Sequence, residues 1–200
     1  MTLSKLLCLV VMTSFVAACT SDSVSSDDQA KRAYLGLDAS IGKSITLGFA
    51  GFNSASSANI SPQTTAGAVG GTLTITGQVD QGQSANKNMR LYVGMTAYTD
   101  GTQTVNDQTV AITYATNTDP TMQPYLAMML SGIPTGTVTG TLAGVYDMTG
   151  DLVGQVTLNL AFDGTLEAGP NSTVVRTVGA TTVTGTATSS DGTYNVMVTL

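Results

Sequence analysis

Apolar and polar positions alternate with a period of two along most of this chain. Leu73, Ile75 and Val79 are interleaved with Thr72, Thr74, Thr76 and Gln78, and Leu91, Val93, Met95 and Ala97 with Arg90, Tyr92, Thr96 and Tyr98. Val110 and Ile112 continue the pattern. Val156, Leu158, Leu160 and Phe162 repeat it against Thr157, Asn159 and Ala161, and the chain ends on Val196, Val198 and Leu200 with Asn195, Met197 and Thr199 between. One apolar face and one threonine-rich face per segment describe half-buried antiparallel strands. Threonine suits the wet face, because its branched Cβ fits the pleat while its hydroxyl stays hydrated.

Turn signals separate the runs. Asp100-Gly101, Asp163-Gly164 and Asp191-Gly192 are hairpin dipeptides, and Asp147 to Gly150 and Gly169-Pro170-Asn171 add two more. Residues 53–71, rich in Ser, Ala, Gly and Thr, predict a flexible loop. One segment departs from alternation: after Asp119-Pro120-Thr121, the residues Met122, Leu126, Met129, Leu130 and Ile133 recur every three or four positions, with Gly132 and Pro134 following. This predicts one short amphipathic helix near 121–131. Val138-Thr-Gly-Thr141 returns as Val183-Thr-Gly-Thr186, but no fixed period runs through the chain, so the echo follows from abundant Val, Thr and Gly. The expected fold is all-β: an antiparallel β-sandwich or small closed barrel of about 8–10 short strands, forming a single domain over residues 34–200.

The amino-terminal end is different. Lys5 precedes an apolar run from Leu6 to about Ala18, broken by Thr13 and Ser14. The run falls short of the ~20 apolar residues needed to span a bilayer and has the layout of an export signal. It ends in Val16-Ala17-Ala18-Cys19, which resembles the lipobox of bacterial lipoproteins: an aliphatic residue, two small residues and a cysteine. The resemblance implies removal of residues 1–18, a diacylglycerol on the Cys19 thiol, acylation of the new amino terminus and attachment to a membrane. Thr20 after the cysteine, where Asp would signal inner-membrane retention in double-membrane bacteria, implies the outer membrane. Residues 19–33 have little to bury and read as a lipidated disordered tether, reaching roughly 20 Å. The last strand, Asp191-Gly-Thr-Tyr-Asn-Val-Met-Val-Thr199, loosely resembles bacterial immunoglobulin-like surface modules, over about nine residues only.

Composition narrows the chemistry. Charged residues are 10% of the chain, and histidine and tryptophan are absent. Loss of residues 1–18 removes one cation, Lys5, and no acid, so a net charge of −6 becomes −7. An acidic body argues against nucleic acid and against an electrostatic grip on anionic lipid. The two cysteines are Cys8, in the leader, and Cys19, so the mature body has no disulfide and no free thiol. Without histidine, a Ser–His–Asp triad is impossible. Lys43-Ser44 is a weak Ser–Lys candidate, since adjacent strand residues point to opposite faces. Ile41-Gly42-Lys43-Ser44 lacks the glycine that a phosphate loop needs at position 37 and reads as a turn into a strand over 45–49. Asp147 with Asp151, and Asp163 with Glu167, are acids at turns, and no Asp-x-Asp-x-Asp spacing suggests calcium. Met122, Met128 and Met129 read as packing rather than a soft-metal site. The threonine rows lack the strict repetition of an ice-binding solenoid. Tyr92, Tyr98 and Tyr114 are too few for the girdle of a transmembrane barrel.

The expectation is therefore no enzyme, no cofactor and no metal, but a membrane-anchored envelope domain with a binding or structural role, its protein, polysaccharide or lipid partner unidentified. The alternative is a lipid or small-molecule carrier, with the ligand inside a closed barrel and the Met-rich helix as its lid.

Overall fold

A computed structural model of the protein describes residues 23–105 and 107–200. Cys19, the proposed leader and the first part of the proposed tether lie outside them. Two helices come first, α1 (Asp27–Leu35) and α2 (Asp38–Ser54), followed by ten strands: β1 (Asn59–Ala66), β2 (Gly70–Val79), β3 (Lys87–Thr99), β4 (Thr102–Val105), β5 (Gln108–Ala115), β6 (Tyr125–Ser131), β7 (Thr137–Gly150), β8 (Gly154–Ala168), β9 (Val174–Ser189) and β10 (Gly192–Thr199). Every ladder is antiparallel. The all-β expectation therefore holds.

The strands form one sheet in the order β1-β2-β3-β5-β7-β8-β9-β10. β5 and β6 share one column. β3 pairs with β6 through Lys87–Tyr92 and meets β5 at Tyr98, while β7 pairs with β6 through Thr137–Ala143 and with β5 through Asp147–Gly150. The expected 121–131 helix is instead a 3-10 turn at Pro120–Met122 running into β6. Leu126, Met128 and Leu130 are buried and Met129 is half exposed, a period of two. Leu126 and Leu130 fit both periods, but Met128 joins them inside while Met129 faces out, and hydrogen bonding to strands on both sides fixes the strand.

Among the described residues β1 and β10 share no ladder, so hydrogen bonding does not close the ring. The helices fill the opening. α2 touches β1, β2 and β3 at one end of the sheet and β9 near the other, while α1 touches β10, β9 and β5. Only a sheet curled around the helix pair brings β1 and β9 against the same helix. The concave face carries the core, including Leu73, Ile75, Leu91, Leu126, Leu142, Leu158 and Val183. The convex face carries exposed Thr72, Thr141, Thr157, Thr182, Thr184 and Thr188.

α1 corrects the tether. Ser26 caps its first turn by accepting from the Gln29 amide, at 3.2 Å, and Asp27 and Asp28 favour the positive end of the helix dipole. Val24, Ala30, Ala33, Tyr34 and Leu35 are buried, so the packed body begins by residue 24 rather than 34. α2 and β1 likewise occupy most of residues 53–71, which read as a loop, and residues 45–49, which read as a strand. α2 packs through Ser40, Ile41, Ser44, Ile45, Gly48 and Gly51. Small residues on this face let the helix axis approach the sheet closely. A Cβ on Gly51 would lie 2.9 Å from Ile60 Cβ on β1, whereas one on Gly42 meets nothing within 4 Å.

This contrast yields two substitutions of opposite sign. Gly42→Ala should stabilise the protein by about 0.5–1 kcal/mol through helix propensity. Gly51→Ala should destabilise it by about 1–2 kcal/mol, because overpacking outweighs the same propensity gain. Urea unfolding midpoints of the two variants check both signs.

Candidate functional site

Two clasps hold α2 in the opening and define the grooves beside it. At its first turn, Arg176 of β9 donates to both carboxylate oxygens of Asp38, at 2.9 and 2.8 Å, and to the Asp38 carbonyl at 3.0 Å. Tyr34 donates to the same carboxylate at 2.6 Å. Burial, then the Asp38 charge, push the Tyr34 hydroxyl pKa well above its ordinary value. Burial lowers the Arg176 pKa, but its bonds to Asp38 more than reverse this, so the guanidinium stays charged. One turn further on, Lys43 pairs with Asp100, which also accepts from Tyr98 and from the Ala68 amide. Burial raises the Asp100 pKa, and the bonds from Lys43 and Tyr98 outweigh it, leaving the carboxyl below the usual range.

Beside these clasps lie two open clefts. The larger, about 500 Å³, lies at the carboxyl end of α2, between Phe49 and Asn53, Ile133 and Pro134 of the β6–β7 turn, and Asn171, Thr173 and Val174 where β8 connects to β9. Its volume is in the range of small-ligand sites. Its lining residues carry hydroxyls, amides and apolar surface but no formal charge. Asn171 and Ser172, on its rim, are consecutive residues of positive φ, 55° and 60°, a conformation that costs energy for non-glycine residues. The second cleft, about 430 Å³, lies between Asp38, Arg176, Thr181, Thr104 and Leu200. At its rim, residues 177–180 of β9 bulge out opposite Thr165 alone, as the β8–β9 register jumps from Gly164↔Thr181 to Leu166↔Arg176.

The residues singled out from sequence do not converge. Gly42, Lys43 and Ser44 lie within α2, not in a loop. Lys43 is committed to Asp100, and the Ser44 hydroxyl is buried without a hydrogen-bond partner. Asp147 binds Gln155, while Asp151 accepts from the Ala111 amide and faces Arg32 at 3.6 Å. Asp163 and Glu167 stand on the exposed face of β8. No cluster of three His, Cys, Asp or Glu able to hold a metal ion occurs among the described residues. Met128 is buried, while Met122 and Met129 are exposed, so the three share no face. Tyr98 and Tyr114 are interior residues. Tyr114 stands edge-on to Tyr146 at 6.2 Å and donates to the Ala33 carbonyl. The volume that a carrier would offer its ligand is taken by Tyr34, Leu35, Leu37, Ile41 and Ile45 of the helix pair, all buried. The larger cleft was not legible from sequence, because its walls come from three distant segments with no shared motif.

Removing the Arg176 guanidinium in Arg176→Met should cost about 2–4 kcal/mol, since Asp38, its side chain 21% exposed, is then left with no cation. Asp100 should give the protein an acid-sensitive component. Its folded pKa is depressed, so its stabilisation is complete above the ordinary carboxylate value of about 3.9 and is lost as pH falls through the lower folded value. Asp100→Asn should therefore be less stable than wild type at pH 7, with the gap closing as pH falls below about 4. Urea midpoints at several pH values check it.

No protein-family model matches the chain, and neither a search of curated proteins nor one of solved structures returns a significant match.

Proposed function

We propose that this chain is a membrane-anchored lipoprotein of the bacterial cell envelope, held by lipid on Cys19, whose folded body is a non-catalytic binding module. The observation that carries this reading is Val16-Ala17-Ala18-Cys19 at the end of a short apolar run. Each buried methylene contributes about 0.8 kcal/mol to membrane attachment, so the several acyl chains that the lipobox implies would hold the protein durably. No described helix is long and apolar enough to cross a membrane. The sheet carries threonine outward and its core inward, the reverse of a transmembrane barrel with its apolar outer band. Thr20 favours the outer membrane.

Binding, rather than turnover, is supported by the absence of histidine from the chain and by how the candidate groups are used: Lys43, Asp100, Asp38 and Arg176 neutralise one another within the scaffold. The uncharged cleft beside Phe49 and Asn171 suits a neutral ligand bearing hydroxyl or amide groups, with one apolar face to lay against Phe49.

The full chain, produced in a double-membrane bacterium, should partition with membranes, and its amino-terminal peptide should begin at Cys19 with the added mass of a diacylglycerol and an amide-linked acyl chain. Cys19→Ser should remove that mass and the membrane attachment together. A wild-type chain that begins elsewhere, or carries no lipid at Cys19, overturns the reading.

A further inference from the structure

The lipobox cysteine and the packed body are very close in sequence. Val24 is fully buried, and its carbonyl accepts from the Ser189 hydroxyl. Ser23 donates to Asp191, in the turn between β9 and β10. From Cys19 to Ser23 is four residues, which span at most about 14 Å when fully extended. A chain held at Cys19 therefore has no long leash.

The start of the body also belongs to one particular end of the curled sheet. Asp27 accepts from the Asn195 amide, close to the β9–β10 turn, at 2.7 Å. Asp28 accepts from Gln108, at the start of β5. Arg32 faces Asp151, in the turn between β7 and β8. Two turns and the start of β5 thus surround the point where the chain enters the fold. The β6–β7 turn, the β8–β9 connection and the carboxyl end of α2 lie at the other ends of these strands. β8 and β9 are 15 and 16 residues long. At about 3.3 Å per residue and a tilt near 40°, the two ends stand roughly 35–40 Å apart.

We propose that the end formed by the start of β5 and the β7–β8 and β9–β10 turns rests against the lipid bilayer, and that the cleft lined by Phe49, Asn53 and Asn171 is held away from it, open to a partner. This rests on lipid attachment at Cys19. The surface fits a bilayer of zwitterionic lipid. Val153, 40% exposed, is an apolar residue at the tip of the β7–β8 turn. This end also carries Asp27, Asp28, Asp107, Asp151 and Asp191 against Lys31 and Arg32, the latter facing Asp151, and the acids in excess disfavour an anionic surface. The acyl chains supply the attachment, and the short connection sets which end faces down.

The test uses the mature chain's lack of any cysteine besides Cys19. Val153→Cys and Ser190→Cys place a unique thiol at the near end, and Thr135→Cys one at the far end. Each full-length lipoprotein is labelled with a small fluorophore and reconstituted into phosphatidylcholine vesicles containing a nitroxide on the lipid headgroup. Quenching at positions 153 and 190 should exceed that at 135 several-fold. Equal quenching at both ends, or stronger quenching at 135, overturns the orientation. Mass analysis of the amino-terminal peptide of the same samples separates the two readings: an acylated chain with equal quenching defeats only the orientation, while an unacylated chain defeats the anchor and the orientation with it. Near-wild-type thermal melts of the labelled variants confirm that each reading comes from the folded body.

Discussion

A sheet with two open edges has to bury its concave face and cover those edges, and here one helix pair meets both demands. Ile41, Ile45, Leu35 and Tyr34 fill the concavity. The edges are then met by side chains of the same helices. Asp27 accepts from the Asn195 amide on β10, and Lys43 donates to the Ala66 carbonyl at the end of β1, at 3.3 Å. An anion reaches an edge donor and a cation reaches an edge acceptor. The Asp38–Arg176 pair fixes the junction between the helices against β9, so the position of everything beside α2, including both clefts, follows from that clasp.

Such a design needs close approach more than bulk, which explains why the fold was only partly legible. Alternation identified β2, β3, β5, β8 and β10, because a strand with one buried face carries its signature in its own residues, but it missed β1, read as a loop, and β6, read as a helix. Residues 45–49 show its weakness. Ile45, Leu47 and Phe49 alternate as a strand would, whereas the helical stripe runs Ile41, Ile45, Gly48, Gly51, and glycine adds nothing to a hydrophobic pattern. α1 did leave a trace, in Ser26-Asp27-Asp28-Gln29 ahead of Ala30, Ala33 and Tyr34, a capping arrangement leading into an apolar face. Counted by composition alone, the same residues look too polar to pack.

The turn signals divide in the same way. Asp191-Gly192 does close a hairpin, with Gly192 paired to Ser189. Asp100-Gly101 does not reverse the chain: β4 continues the column of β3, since both pair antiparallel with β5, Tyr98↔Tyr114 and then Thr102↔Ala111, with the register shifted by one residue between them. The dipeptide makes a kink, and the kink is useful because it delivers Asp100 to Lys43. Asp163-Gly164 sits within β8 beside the register jump against β9. An Asp-Gly pair marks a place where the backbone departs from a regular strand, and tertiary pairing decides whether that departure becomes a turn, a kink or a bulge.

The candidate site was the least legible part, for a related reason. Its walls are a helix end, a turn and a strand connection that meet only after the sheet has curled. Their residues are Thr, Asn, Phe, Ile and Pro, types that carry no motif. The charged side chains, which draw attention in a sequence with so few, are spent on structure: of the lysines and arginines in the body, Lys43, Lys87, Arg90 and Arg176 each bind a carboxylate or carbonyl within the fold. With few cations in the body and four of them bound within the fold, and with no charged residue lining the larger cleft, recognition there falls to neutral groups. Neutral groups are placed by topology rather than by sequence pattern, so the opening that forced the helices into the sheet also produced the cleft at the end of α2.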